Sequence, residues 1–277
     1  MKTMMMFLLS ACGLFAGDWE LPREATVKDS GPRTYRFIVD YVTTNLTGQT
    51  LARQRVTAEY TRGLPGGEVI WHKVAVSEAN GNAELGPAQK QEFMEGYRYR
   101  QDSKASKALY VSMLPDFFKG FPPDSTLERT LILDQAMFDL FAGAQFPNLK
   151  LNEPYRIASP ETVNVPGVGP FSNRDVQLVW VGKSRRNGRN CAVIDYSGYI
   201  NPLQIINGGM DLKGQSRYWG LIWVSLATRQ IEYATLNENV TAEIEHKGQS
   251  TPVRVNVFRT GVFEPIQSKQ LRDGLAP

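Results

Sequence analysis

Few side chains in this sequence could carry chemistry. It holds two histidines, His72 and His246, and two cysteines, Cys12 and Cys191. A serine nucleophile needs a sharp turn and a histidine base within hydrogen-bond reach. Gly214-Gln215-Ser216-Arg217-Tyr218 opens like such a turn, but Tyr218 stands where the closing glycine belongs. His246 continues the alternation of Val240, Ala242 and Ile244, and His72 shares parity with Ile70 and Val74, so both read as satisfied or rim histidines. Glycoside hydrolysis needs two carboxyl groups roughly 5–9.5 Å apart. Glu232 and Glu238 share a strand parity, but six residues at ~3.3 Å each set them ~20 Å apart. Asp134 and Asp139 are five positions apart on a helix and point to different faces. Asp195 alternates with apolar neighbours and reads as inward-facing, with no nameable partner. Gly182-Lys183-Ser184 ends like a phosphate loop, but Gln177 replaces its first glycine. Gly167-Val168-Gly169 runs into Pro170 and reads as a bend. Two histidines exclude a His-rich metal site, and no acids stand in calcium-loop order. The expectation is no catalytic set, no metal and no cofactor.

The most unusual stretch is Arg217-Tyr218-Trp219-Gly220-Leu221-Ile222-Trp223. Trp219, Leu221 and Trp223 share one strand face; Tyr218, Ile222 and Val224 share the other. Aromatic faces stack on sugars or hold lipid tails, and Arg217 could hold an anionic head group, so Arg217, Tyr218, Trp219 and Trp223 are the candidate ligand-binding residues. The competing reading is a central strand buried on both sides, with Gly220 allowing close packing or a bend.

Residues 1–17 place Lys2 before an uncharged apolar run from Met4 to Phe15 that closes on small residues. A run of ~12 residues is too short for a membrane-spanning helix, which needs ~20. It fits a secretory signal, and the expected location is periplasmic, outer-envelope or extracellular. Leu9-Ser10-Ala11-Cys12 resembles the lipobox of bacterial lipoproteins. That resemblance implies that Cys12 becomes the lipidated first residue, and a membrane is then met only through this anchor. Eleven residues precede Cys12, fewer than such signals usually have. Cleavage after Gly13, Ala16 or Gly17, discarding Cys12, is the alternative. Cys191 lies in Cys191-Ala192-Val193-Ile194 and reads as a packed core thiol. The glycosylation patterns at Asn45 and Asn239 read as chance occurrences.

The elements that would position these residues are mostly strands. Segments 35–42, 51–60 and 69–76 are rich in β-branched and aromatic residues and are separated by turn formers. Tyr35, Phe37, Val39 and Tyr41 alternate with Arg36, Ile38 and Asp40, which gives one strongly apolar face. Further strands are expected at 93–99 and 108–113. Segments 176–183 and 190–199 flank Asn187-Gly188, a strong two-residue hairpin signal. Strands at 218–226, 230–236, 241–246 and 253–258 complete a meander, with turns at Thr228-Arg229 and Lys247-Gly248-Gln249. One amphipathic helix is expected over about 126–142, with Ser125-Thr126-Leu127-Glu128 as a capping box and Gly143 near its end.

The fold expected is mainly β: an antiparallel meander forming a curved sheet, half-barrel or sandwich, with this one mid-chain helix on its face. A signal (1–17) and polar spacer (18–33) would precede one β-rich domain (34–265), which would divide, if anywhere, near the proline-rich 148–173; a tail (266–277) follows. The chain's 42% apolar residues argue against wholesale disorder, and 31 basic against 28 acidic residues give too mild a balance to predict nucleic acid. The leading function is an exported, non-catalytic envelope protein that binds an apolar or amphipathic ligand or an envelope protein. A curved sheet carrying one helix is similar in outline, without any shared motif, to periplasmic carriers of the lipoprotein-localisation type. The alternatives are a secreted hydrolase acting on polysaccharide or ester, and a structural or assembly lipoprotein.

Overall fold

The computed structural model describes residues 21, 23, 31–100, 118, 120–157, 163–165, 169–172, 174–207, 210–246 and 251–266. The signal segment with Cys12, most of the polar spacer, the expected strand at 108–113, the turn at 247–249 and all but the first residue of the tail lie outside them.

Alternation of apolar and polar residues produces long strands. Along the chain come β1 (Arg33–Asn45), β2 (Thr50–Leu64), β3 (Glu68–Asn80), β4 (Gln89–Lys90) and β5 (Arg98–Arg100). After helix α1 (Thr126–Asp139) follow β6 (Pro154–Ile157), β7 (Val163–Val165), β8 (Gly169–Phe171), β9 (Val176–Arg186), β10 (Arg189–Asn207), β11 (Met210–Ser225), β12 (Ile231–His246) and β13 (Val253–Pro265). The described strands join one antiparallel, curved, open sheet, so of the three expected architectures the curved sheet is the one formed. Its backbone order is β4-β3-β2-β1-β13-β12-β11-β10, with β9 and the β8–β7 pair beyond β10. Asn187 (φ 50°) and Gly188 (φ 74°) both adopt the left-handed conformation that a tight β9–β10 hairpin turn demands. The meander expected after residue 175 is therefore present, and the pairing of β1 with β13 fuses it to the N-terminal hairpins.

The inner face carries the core. Tyr35, Phe37 and Val39 on β1 are buried together with Phe263 on β13, Leu236 on β12, Ile222 on β11, Tyr196 on β10 and Trp180 on β9. Helix α1 lies against them: Phe138 has its ring centroid 5.8 Å from Phe263, 6.1 Å from Tyr196 and 6.3 Å from Phe37. The helix extends through a π turn, Leu140–Ala144. It is buried on more sides than a simple amphipathic helix, because Glu128, Arg129, Asp134 and Gln135 are buried as well as its apolar residues. Only a narrow stripe including Thr126, Thr130 and Leu133 is half-buried.

Two local expectations are corrected. Ser125 precedes the helix but makes no capping bond. Its hydroxyl donates to the Pro122 carbonyl (2.6 Å) and accepts from Arg129 Nε (3.0 Å), because the buried guanidinium needs the acceptor. Segment 93–99 is not one strand: a 3-10 turn, Glu92–Met94, and Gly96 with φ 73° bend the chain before β5.

Candidate functional site

The register places one row of side chains after another on the inner face, and three zones result. The first is the aromatic core under α1. The third, at the far end of the long strands, is a separate apolar cluster: Leu212, Ala242 and Val255 buried, with Leu203, Ile205, Val240, Ile244 and Val257 half-buried around them. Cross-strand pairs Leu212↔Ile244, Ile205↔Leu212 and Ala242↔Val255 confirm that these residues share a face. All eight come from β10–β13. The cluster spans ~13 Å along the strands and ~14 Å across them.

Between the two apolar zones runs a polar band. Arg259 on β13 shares the inner parity of Gly261 and Phe263, and Glu238 stands opposite it on β12. Arg259 Nη1 and Nη2 donate to Asp134 Oδ2 and Oδ1 of α1 at 2.9 and 3.0 Å. Arg259 Nε lies 2.6 Å from Glu238 Oε2, and the Ser216 hydroxyl donates to the other Glu238 oxygen. Asn201 continues the band on β10, opposite Ser216; its amide nitrogen donates to the carbonyls of Gly198 (2.9 Å) and Ser216 (3.3 Å). Burial pushes the Asp134 carboxyl up to about 7, against the pull of Arg259 and helped by the nearby charge of Glu238. Desolvation opposes the Arg259 charge, but the two carboxylates outweigh it and hold the guanidinium protonated.

The four aromatic-basic candidates do not meet on one surface. Tyr218 is buried on the inner face, 6.2 Å from Tyr196 between ring centroids, and its ring lies over Gly198. Arg217 and Trp219 face outward, with Trp219 44% exposed. Trp223 is half-buried on the same outer side, 5.3 Å from Tyr233, whose ring carries the Arg186 guanidinium at 3.7 Å. The expectation of burial on both faces of this strand is corrected: only the parity of Tyr218, Gly220, Ile222 and Val224 is buried, because the helix lies on one side of the sheet.

The acids divide differently from their sequence reading. Asp134 and Asp139 both turn toward the sheet, onto Arg259 and Arg62 respectively. Asp195 faces outward and is exposed, not inward. Glu232 is fully buried between Arg33 (2.6 Å) and Arg189 (3.3 Å). His72 pairs through Nδ1 with Glu95 (2.7 Å) at a partly exposed position. The His246 side chain lies outside the described residues. Cys191 is a buried free thiol, as its surroundings predicted. The polar band was missed because its members come from a helix and four strands. A signal was present, however: Arg259 and Glu238 each interrupt an otherwise apolar inward parity. Among the described residues no cluster could hold a metal ion, and no helix is long and apolar enough to cross a membrane.

No protein-family model matches the sequence, and no curated protein matches it. Among solved structures, one of lipovitellin, described by its lipid–protein interactions, is similar with a TM-score of 0.43 and 11% identity, covering 86% of this chain. The chain spans 25% of that structure's length.

Proposed function

We propose that the protein is an exported, non-catalytic binding protein that takes an apolar or amphipathic ligand onto the far end of the inner sheet face. The observation that supports this is the apolar cluster beyond the polar band, where five aliphatic side chains from three strands, β10, β12 and β13, remain half-buried. A contiguous apolar surface of this kind marks a place where another apolar body sits. None of the four aromatic-basic candidates lines this surface: Tyr218 is buried in the aromatic core, and Arg217, Trp219 and Trp223 lie across the sheet. Export rests on residues 1–17, and anchoring rests on Cys12.

The test is uptake of a fluorescent naphthylamine probe by the mature chain, displaced by a fatty acid or monoacylglycerol, with native mass spectrometry to count bound ligand. Saturable uptake is expected, reduced at least tenfold by Ile205→Asp or Ile244→Asp while the circular dichroism spectrum is kept. No occupancy by either method would overturn the binding reading. The intact mass of the natural product tests export: acylated Cys12 or a shortened N-terminus is expected, and an uncut chain inside the cell would overturn it.

A further inference from the structure

We propose that the Asp134–Arg259–Glu238 cluster is a proton-linked lock, in which proton uptake by Asp134 sets how firmly α1 is seated in the trough of the sheet. The geometry is specific. One guanidinium serves two carboxylates, and the three side chains are only 8%, 7% and 12% exposed for Arg259, Asp134 and Glu238. With all three ionised the cluster carries one uncompensated negative charge away from water, which is unfavourable. A proton on Asp134 removes that charge and leaves Arg259 and Glu238 as a neutral pair. Among the described residues, the titratable and charged groups facing Asp134 are Arg259 from β13, Glu238 from β12, Tyr41 from β1 and Tyr196 from β10. The Asp139–Arg62 pair, further along the helix, ties α1 to β2 as a separate neutral pair.

The sign follows from linkage. Seated and buried, Asp134 holds its proton up to about pH 7. Unseated and solvated, it would lose it near ~3.9, the ordinary aspartate value. Seating therefore takes up a proton between those limits. It is strongest on the acid side and weakens by up to about tenfold per pH unit as pH rises toward 7. Because the cluster borders the apolar end of the inner face, unseating would widen that surface. This consequence for ligand uptake rests on the binding reading above; the lock itself does not.

The experiment is hydrogen exchange on the mature chain from about pH 5 to about pH 8, with rates corrected for intrinsic exchange. Protection of 126–144 is expected to fall with rising pH and to level off near 7, while β2 and β3 hold theirs. Asp134→Asn should flatten the helix profile. Glu238→Gln should move the fall to lower pH, because Asp134 then faces Arg259 without a second negative charge, and this variant carries the test if Asp134→Asn fails to fold. A helix profile independent of pH, an unchanged slope in Asp134→Asn, an unmoved fall in Glu238→Gln, or a slope shared equally by β2 and β3 would overturn the lock. The naphthylamine probe is measured on the same samples. A responsive helix with no uptake at any pH rejects the binding reading alone, and uptake with an unresponsive helix rejects the lock alone.

Discussion

Gly220 sits where β11 meets its neighbours too closely for any side chain. A Cβ there would come within 2.0 Å of the Thr235 carbonyl oxygen and 2.6 Å of the Tyr196 hydroxyl, which itself donates to that carbonyl. Gly220→Ala is expected to lower stability by about 2–3 kcal/mol in denaturant titration, since neither backbone nor the bonded tyrosine can give way. Gly261→Ala, whose Cβ would meet Leu236 Cβ at 3.4 Å, should lose less than about 1 kcal/mol. Cys191 makes a second prediction at this scale. Burial pushes its thiol up to about 11 from an ordinary value of 9.0. Alkylation near neutral pH should then be slow and should track unfolding. The unfolded thiol ionises first, so this residue's contribution to stability falls as pH rises from 9.0 toward about 11.

Among the elements, β12 is held near its start and at its middle by buried ions. Glu238 serves Arg259 and the helix, while Glu232 joins β1 through Arg33 and the β9–β10 hairpin through Arg189 and the Asn187 amide, which donates to the Glu232 carbonyl at 3.0 Å. Removing Arg33 leaves a fully buried carboxylate with two longer partners, Arg189 at 3.3 Å and the Asn187 amide at 3.5 Å. Arg33→Ala is expected to cost about 2–3 kcal/mol, somewhat under the range for stripping a buried charge of all partners, because Arg189 remains. The helix shows how far a periodic pattern reaches. Leu131, Phe138 and Phe141 recur at near-helical spacing in the sequence and are buried in the core, and the observed helix, Thr126–Asp139 with its π turn, agrees with 126–142. The pattern could not show that the curved sheet wraps the helix closely enough to bury Glu128, Arg129 and Asp134 too. Asp134 is held there by Arg259 from far away in the chain, while Arg129 bonds the Ser125 hydroxyl and the Pro122 carbonyl close by.

At the scale of the whole molecule, the pairing of β1 with β13 decides whether there is one sheet. It places Phe37 opposite Phe263 and Val39 opposite Gly261, joining the N-terminal hairpins to the C-terminal meander. A chain ending before Val253 is expected to lose cooperative thermal unfolding, because β1 and β12 would both become long unpaired edges over an opened core. Retention of a sharp transition in that truncation would show that the two halves fold alone. Among the described residues the sheet's margins carry the short strands β4, β5, β6 and β7, which each offer little backbone for edge-to-edge association.

By itself, the sequence determined the local states. Alternation gave β1 its buried row from Tyr35 to Val39, Asn187-Gly188 closed a hairpin, and one apolar periodicity made one helix, because these follow from side-chain direction and backbone sterics within a few residues. Tertiary structure decided everything that depends on distant segments meeting. It chose an open curved sheet, left one side of β11 uncovered with Arg217 and Trp219 on it, and turned Asp195 outward. It also brought Asp134 onto Arg259 from 125 residues away. No local pattern encodes such a meeting, since the desolvation that makes it matter exists only once the sheet and helix have packed.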